Sequence, residues 1–211
     1  HEAQTRAGQI AGGNAVDVAQ TKFHVGGDGG WLLFPITWSP DGTHLAYRSE
    51  RDIYAVSVEG GVPVNLTNVG LITVNRHPAW SPDGTRIAFT STRYPATDIY
   101  VMNADGTNPV NLMEQQPEAA NSIDEAPAWS PDGSKIAFRS RRDGTYNIFV
   151  MNADGTDPIQ LTHETVDCGL PAWSPDGSRI AFDVVLRKNP TWHNEVYVVD
   201  LDGGNQVWVS E

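Results

Sequence analysis

The sequence predicts an all-β fold, a β-propeller of four-stranded antiparallel blades with four blades recognisable, and three observations carry that prediction. One pentapeptide, Trp-Ser-Pro-Asp-Gly, opens four near-copies of a longer phrase, at Trp38, Trp80, Trp129 and Trp173. The copies lie 42, 49 and 44 residues apart, the period of a propeller blade rather than of ankyrin, tetratricopeptide or leucine-rich units. No segment sustains a helical hydrophobic period, and the 20 Gly and 14 Pro among 211 residues fall where turns need them.

Each copy divides into four strands. A short apolar segment precedes the tryptophan, as in His77-Pro78-Ala79-Trp80 and Ala126-Pro127-Ala128-Trp129. Ser-Pro-Asp-Gly then turns the chain: Pro presets φ, Asp bonds the local backbone and Gly tolerates positive φ. The second strand is a brief apolar run, His44-Leu45-Ala46-Tyr47 in the first copy and Arg86-Ile87-Ala88-Phe89, Lys135-Ile136-Ala137-Phe138 and Arg179-Ile180-Ala181-Phe182 in the others. The third starts at an acid or amide and carries an aromatic, as in Asp52-Ile53-Tyr54, Asp98-Ile99-Tyr100, Asn147-Ile148-Phe149 and Glu195-Val196-Tyr197. It ends in Glu59-Gly60, Asp105-Gly106, Asp154-Gly155 or Asp202-Gly203, which is tight-hairpin chemistry. A fourth strand returns through Val64-Asn65-Leu66, Val110-Asn111-Leu112, Ile159-Gln160-Leu161 and Val207-Trp208-Val209. A tryptophan held at one register in every copy reads as packing between sheets, so Trp80, Trp129 and Trp173 are expected to be buried at equivalent places.

With these motifs in register four times, the chain resembles the TolB-type, WD-repeat-like propeller repeat over roughly residues 33–210. The blades are expected at about 33–67, 75–113, 124–162 and 168–211. In the first, Pro35 stands three residues before Trp38 where the other copies place proline two before, which predicts a distorted inner strand. Residues 1–32 do not fit the blade pattern. They read as an N-terminal arm in which the stretch from Val16 to Val25 is a candidate closing strand, since propellers often close by lending a strand from one terminus to the far blade. Four blades closing alone, four closing with this arm, completion by a second copy, and a portion of a larger ring all stay open. The resemblance implies a periplasmic or extracellular setting, and beginning at His1 suggests processing or excision. No run approaches the ~18 apolar residues of a membrane span.

Composition and motifs narrow the function. There is no Gly-x-Ser-x-Gly elbow, no His-Glu-x-x-His helix, no phosphate-binding glycine loop and no paired cysteines. The relatives that are peptidases carry their catalytic residues on a separate hydrolase domain. The six histidines are scattered; His77 and His163 sit in connections where a metal-binding propeller enzyme places ligands, one per loop. The single cysteine, Cys168, reads as a structural thiol. The Asp-Gly loops superficially resemble calcium loops but lack the ligand run and terminal glutamate of an EF-hand. The expectation is a non-enzyme with no cofactor and no metal. A net charge of -12 argues against nucleic acid and anionic membrane as partners.

The distribution of charge says more than its sum. Alternating turns fall on two faces. The Ser-Pro-Asp-Gly and Asp-Gly hairpins share one, which collects acids such as Asp41, Asp83, Asp132, Asp176, Asp105 and Asp154. The opposite face holds the connections in which the copies differ, with Arg48, Arg51, Arg76, Arg93, Arg139, Arg141, Arg142, Arg187 and Lys188, nine of the 14 basic residues. A scaffold repeats what folding needs and varies where it recognises. A protein partner is therefore expected on the variable face, with Arg93, Arg141, Arg142 and Arg187 as charged contacts and Tyr94, Tyr146 and Trp192 as aromatic anchors in the same loops. The bland alternative is that the arginines pair with the acids that start third strands, worth only ~0–1 kcal/mol each. A carbohydrate-binding or carbohydrate-processing propeller, with its site at the channel mouth near Asn75, Asp124 and Asp167, and a structural subunit of an envelope assembly are the other readings.

Overall fold

A computed structural model describes residues 36–209, except 69, 71, 94–95, 115, 117–121 and 189–190, with the side chains of 185–188 and 191–194 also left aside. The N-terminal arm and its candidate closing strand lie outside the described residues. Among the described residues sixteen strands form four antiparallel sheets, each in simple sequential order. Blade 1 holds β1 (Thr37–Trp38), β2 (His44–Ser49), β3 (Asp52–Ser57) and β4 (Val64–Asn65). Blade 2 holds β5 (Asn75–Trp80), β6 (Arg86–Ser91), β7 (Asp98–Asn103) and β8 (Val110–Asn111). Blade 3 holds β9 (Asp124–Trp129), β10 (Lys135–Ser140), β11 (Asn147–Asn152) and β12 (Ile159–Gln160); blade 4 holds β13 (Ala172–Trp173), β14 (Arg179–Lys188), β15 (Thr191–Asp200) and β16 (Val207–Trp208).

The Ser-Pro-Asp-Gly turns form as their chemistry dictates. In blade 2 the Ser81 hydroxyl and the Thr85 backbone N–H and hydroxyl all donate to Asp83 Oδ1, at 2.6, 3.0 and 2.9 Å. Ser81 Oγ in turn accepts from the Arg86 N–H at 2.9 Å, and Gly84 takes φ +71°. From the second turn on, the glycine lies over the proline of the preceding turn, Gly84 on Pro40, Gly133 on Pro82 and Gly177 on Pro131.

The repeated Ile-Ala-Phe phrase explains how blades stack. Ile87 and Phe89, with Tyr100 and Met102, face blade 1, where they meet Ala46, Ile53, Ala55 and Leu66. Alternation sends Ala88 the other way, with Ile99, Val101 and Leu112, against Ile136, Phe138, Phe149 and Met151 of blade 3. Blade 3 repeats the pattern against blade 4, where Ala137, Ile148, Val150 and Leu161 meet Ile180, Phe182 and Val199. The alanine leaves the depth that an aromatic pair of the next blade fills; those pairs, Phe89–Tyr100, Phe138–Phe149 and Phe182–Tyr197, lie 5.7–5.8 Å apart. Contact is closest at the hairpins. A Cβ on Gly106 would lie 2.5 Å from Leu66 O, and one on Gly155 2.6 Å from Leu112 O.

The tryptophans are less uniform than their register suggests. Trp129 is buried at 8% exposure, and its Nε1–H donates to Ala79 O at 3.1 Å while the Arg86 guanidinium lies 4.8 Å from its ring centre. Trp173 Nε1 likewise donates to Ala128 O at 2.9 Å, so the indole ties each inner strand to the one before. Trp80 and Trp173 are only half-buried, and Trp80 Nε1 lacks a partner. The expectation of equal burial is corrected: of the three only Trp129 is buried, and Trp80 lacks the inner-strand carbonyl bond that Trp129 and Trp173 make. Another expectation changes in blade 4. Residues 183–188 and 191–194 do not belong to a loop between second and third strands; β14 and β15 run on as a pair from Asp183↔Val196 to Lys188↔Thr191.

Two substitutions test this packing. Trp129→Ala is expected to cost about 3–5 kcal/mol, the range for emptying a large aromatic site, and to lower the urea midpoint accordingly. Gly106→Ala should lower the midpoint more than Gly42→Ala. Both sites have positive φ, which costs about 1 kcal/mol or so for alanine, but Gly42 has no atom within 4 Å of the added Cβ.

Candidate functional site

The inner strands of blades 2 and 3 are bulged at the variable face. The register of β5 with β6 shifts between Arg76 and Ala79, and that of β9 with β10 shifts between Ala137 and Arg139. The residues at the bend, His77 and Ala126, take φ of +53° and +57°, a conformation that costs a non-glycine residue energy and persists only where neighbours enforce it. Thr90 is that neighbour. Its Oγ1 accepts from the Ala126 N–H at 3.0 Å and lies 3.2 Å from His77 Nδ1, joining the two bulges.

Just beyond the bulges a charged cluster assembles. Glu125 is buried, and Arg76 and Arg139 each take one of its carboxylate oxygens, Arg139 Nη2 at 2.7 Å from Oε2. The Arg139 guanidinium also lies 4.4 Å from the centre of the Tyr146 ring, and Arg141 covers the same ring at 5.6 Å. Arg141 Nε donates to Gly144 O at 2.8 Å, closing the loop that presents Tyr146. Arg48 stands close by: burial first, then the charges of Arg76 and Arg51, hold its pKa below the usual value. The Nε atoms of Arg76 and Arg139 are buried without a partner. Positive charge thus outnumbers negative at this spot on an acidic chain, and two guanidiniums keep hydrogen-bonding capacity that Glu125 does not use.

His77 lies within this cluster. Burial pushes its pKa down to about 4, with nearby Glu125 opposing and Arg76, Arg139 and Arg48 adding to the shift. The ring is neutral at pH 7.

Of the residues expected from sequence to bind a partner, Arg141 and Tyr146 come together here. Arg93 lies 4.8 Å above the Tyr100 ring with its Nε buried and unpartnered. Tyr94 is outside the described residues. Arg187 and Trp192 are directly paired across the β14–β15 hairpin rather than in loops. Arg142 points inward: its side chain is 9% exposed, Nε donates to Ser140 Oγ at 2.9 Å, Nη2 reaches Asp124 Oδ1 and Gln116 Oε1 at 3.3 Å each, and the Phe149 ring centre lies 4.5 Å away. Those contacts use the guanidinium to satisfy the fully buried Asp124.

Arg76, Glu125 and Arg139 are the members that motif reasoning passed over as a group. A signal was present: Arg76 and Glu125 stand four residues before Trp80 and Trp129, so neighbouring blades carry opposite charges at one repeat position. Cys168 is fully buried, and burial pushes its thiol up to about 11, so it is not a thiolate nucleophile at neutral pH. Among the described residues no group of three or more His, Cys, Asp or Glu is arranged to hold a metal. The hairpin acids satisfy their own turns, as where Asp105 Oδ1 accepts from the Thr107 N–H and hydroxyl at 2.9 and 2.6 Å.

The architecture and this site define a repeat β-propeller with a differentiated loop face. Residues 118–211 match the family described as TolB beta propeller domain. No curated protein matches the sequence. Solved structures do. A protein assigned as TolB from Agrobacterium tumefaciens is 28% identical, over 81% of this chain and 62% of its own, with a TM-score of 0.68. TolB from Acinetobacter baumannii aligns at 24% identity over 84% of this chain and 44% of its own, with a TM-score of 0.64. The chain therefore spans less than two thirds of either. Enzymes share the fold as well: an oligogalacturonate lyase from Vibrio parahaemolyticus is 16% identical over 82% of this chain and 51% of its own, with a TM-score of 0.59.

Two measurements probe the cluster. Glu125→Gln should destabilise the fold by about 2–3 kcal/mol, because it leaves two partly buried guanidiniums without their shared counter-charge; an unchanged urea midpoint would show the carboxylate to be dispensable. His77 gives a pH signature. Its folded-state pKa of about 4 lies below its ordinary value of 6.5. The unfolded chain therefore binds the extra proton first, and stability falls as pH drops from about 6.5 to about 4, by up to ~3 kcal/mol. His77→Asn should flatten that part of the stability curve, measured as the difference from the parent protein.

Proposed function

We propose that this chain is a non-catalytic recognition module that binds a protein partner through its variable face, centred on Arg139, Arg141 and Tyr146. The observation that carries the reading is the guanidinium excess around buried Glu125. Arg76 and Arg139 hold each other in place through one carboxylate, so their forks are fixed before a ligand arrives and less side-chain entropy is lost on binding. Tyr146, flanked by two guanidiniums, offers an aromatic contact of the kind that dominates protein interfaces. Arg142 supports the site from within through Asp124.

The nearby groups suit binding better than catalysis. The cluster's histidine is neutral with a low pKa, and the lone thiol is buried and protonated. The setting we infer is the periplasm or the extracellular space, on the strength of the TolB-type repeat; among the described residues no helix is long and apolar enough to cross a membrane.

The test is a comparative capture from envelope extract, with the protein and its Arg139→Glu/Arg141→Glu variant as baits, beside a glycan array. A protein retained by the parent, lost with the variant and progressively released by salt is the expected result. Asp105→Asn and Asp154→Asn on the hairpin face should leave capture intact. Glycan binding without protein capture would transfer the same site to carbohydrate recognition.

A further inference from the structure

Blade 1 departs from the repeat at two positions, and both line one groove. The second strand opens on a long base in the later blades, Arg86, Lys135 and Arg179, but on His44 in blade 1. Two residues before the fourth strand the later blades carry Asn108, Asp157 and Asn205; blade 1 carries Val62, which is 89% exposed. His44 and Val62 meet Trp80 across a groove of about 840 Å³ between blades 1 and 2, on the hairpin face. Val64 and the buried Ala55 and Leu66 contribute the rest of its apolar lining.

The next interface shows what such a groove accepts. Between blades 2 and 3 the counterpart of His44 is Arg86, whose guanidinium lies 4.8 Å from the ring centre of Trp129 and leaves that indole 8% exposed. Trp80, the counterpart of Trp129, is only half-buried, because the shorter His44 stays exposed with its Nδ1 2.8 Å from Thr43 Oγ1. The place a guanidinium takes over one indole is thus open over the other. Its surroundings select for a cation, since an aromatic face attracts one and the groove is lined by Asp41, Asp83 and Asp105 with no arginine or lysine. Bonds from the hydroxyls of Ser39, Ser81 and Thr107, then from backbone N–H groups, hold Asp41 and Asp83 at pKa values of about 2 and Asp105 below the usual carboxylate range. Among the described residues those turn bonds all go to Oδ1. A second carboxylate oxygen remains on each.

We propose that the groove between blades 1 and 2 is a docking site for an extended peptide segment of a partner protein, with an arginine of the peptide laid over Trp80 as Arg86 is laid over Trp129. The carboxylates of Asp41, Asp83 and Asp105 supply the counter-charge, and Val62 and Val64 receive the apolar residues beside the arginine. The volume is that of a site for a drug-sized ligand, so it takes the arginine together with its neighbours. A repeat array keeps what folding needs and varies where it recognises, and here the two departures of blade 1 fall on the same groove. This site lies on the face opposite Arg139, Arg141 and Tyr146. It rests on none of their residues, and a partner captured through Arg139 does not use it.

Calorimetric titration of the 211-residue chain with a Val-Arg-Val peptide blocked at both ends is expected to show one bound equivalent. The same peptide with citrulline, the uncharged isostere of arginine, and agmatine, the guanidinium without its flanking residues, should each bind roughly tenfold or more weakly. The decisive variant is His44→Arg, which changes an exposed residue and lets the chain supply its own guanidinium over Trp80. It should weaken binding of the peptide by roughly tenfold or more, with a melting temperature no lower than the parent's. Arg139→Glu/Arg141→Glu should bind the peptide as the parent does, which separates this site from the variable face. The proposal is overturned if the Val-Arg-Val peptide gives no binding at millimolar concentration, if citrulline serves as well as arginine, or if His44→Arg binds unchanged. Agmatine binding as tightly as the peptide would overturn the peptide as occupant, and loss of binding in the Arg139→Glu/Arg141→Glu variant would overturn the location.

Discussion

A blade can settle on its neighbour because an alanine stands opposite a pair of aromatic rings. Ala46, Ala88 and Ala137 each sit on a face beside a fully buried isoleucine and a leucine, and the space they leave is taken by Phe89–Tyr100, Phe138–Phe149 and Phe182–Tyr197. Sheets packed face to face lie about 10 Å apart, and a larger residue at the alanine positions would lift one sheet off the next. The glycines at the hairpins enforce the same closeness at the periphery, where Gly106 and Gly155 lie against the Leu66 and Leu112 carbonyls without room for a methyl group. The turn residues thus serve conformation and packing together. Positive φ alone would explain glycine at Gly42, but not the crowding at Gly106.

The charged cluster depends on that stacking. Arg76 belongs to blade 2 and Glu125 and Arg139 to blade 3, so the Arg76–Glu125 pair exists only while the two blades keep their distance. The bulges at His77 and Ala126 turn the inner strands where they approach the variable face, and Thr90 holds both bends from a single hydroxyl. A buried carboxylate is costly unless it is compensated, and here half of the compensation, Arg76, comes from across the interface. This couples the geometry of the mouth to the packing beneath it. A partner engaging Arg139 or Tyr146 would bear on the same contact that holds the blades in register.

The fold was legible because its causes are local and repeated. Ser-Pro-Asp-Gly makes a turn wherever it occurs, Ile-Ala-Phe alternates wherever it pairs, and four copies in register remove the ambiguity of any one. The site was less legible because its causes are not repeated. Arg142 looks, in sequence, like the exposed half of an arginine pair, and only the position of Asp124 and Gln116 shows that it turns inward. The β14–β15 hairpin was hidden because residues 183–194 mix apolar and charged positions without a second turn motif to mark their pairing. Trp80 differs from Trp129 through what precedes it rather than through its own surroundings in sequence. Opposite charges at one repeat position, Arg76 and Glu125, were written in the chain; reading them as a pair required knowing that adjacent blades place that position side by side.

The Ser-Pro-Asp-Gly turns have an electrostatic consequence for the whole molecule. Hydrogen bonds from the preceding serine, then from the backbone and hydroxyl two residues on, hold Asp41, Asp83, Asp132 and Asp176 at pKa values of about 2. Ordinary carboxylates gain protons near pH 4, so on acidification these four are among the last to lose their charge, while the arginines of the other face never lose theirs. On acidification the last negative charges of the chain thus stay at these turns, each three residues before a base, His44, Arg86, Lys135 or Arg179, so that the turns whose first duty is to reverse the chain also keep an opposite charge beside each of those bases in acid.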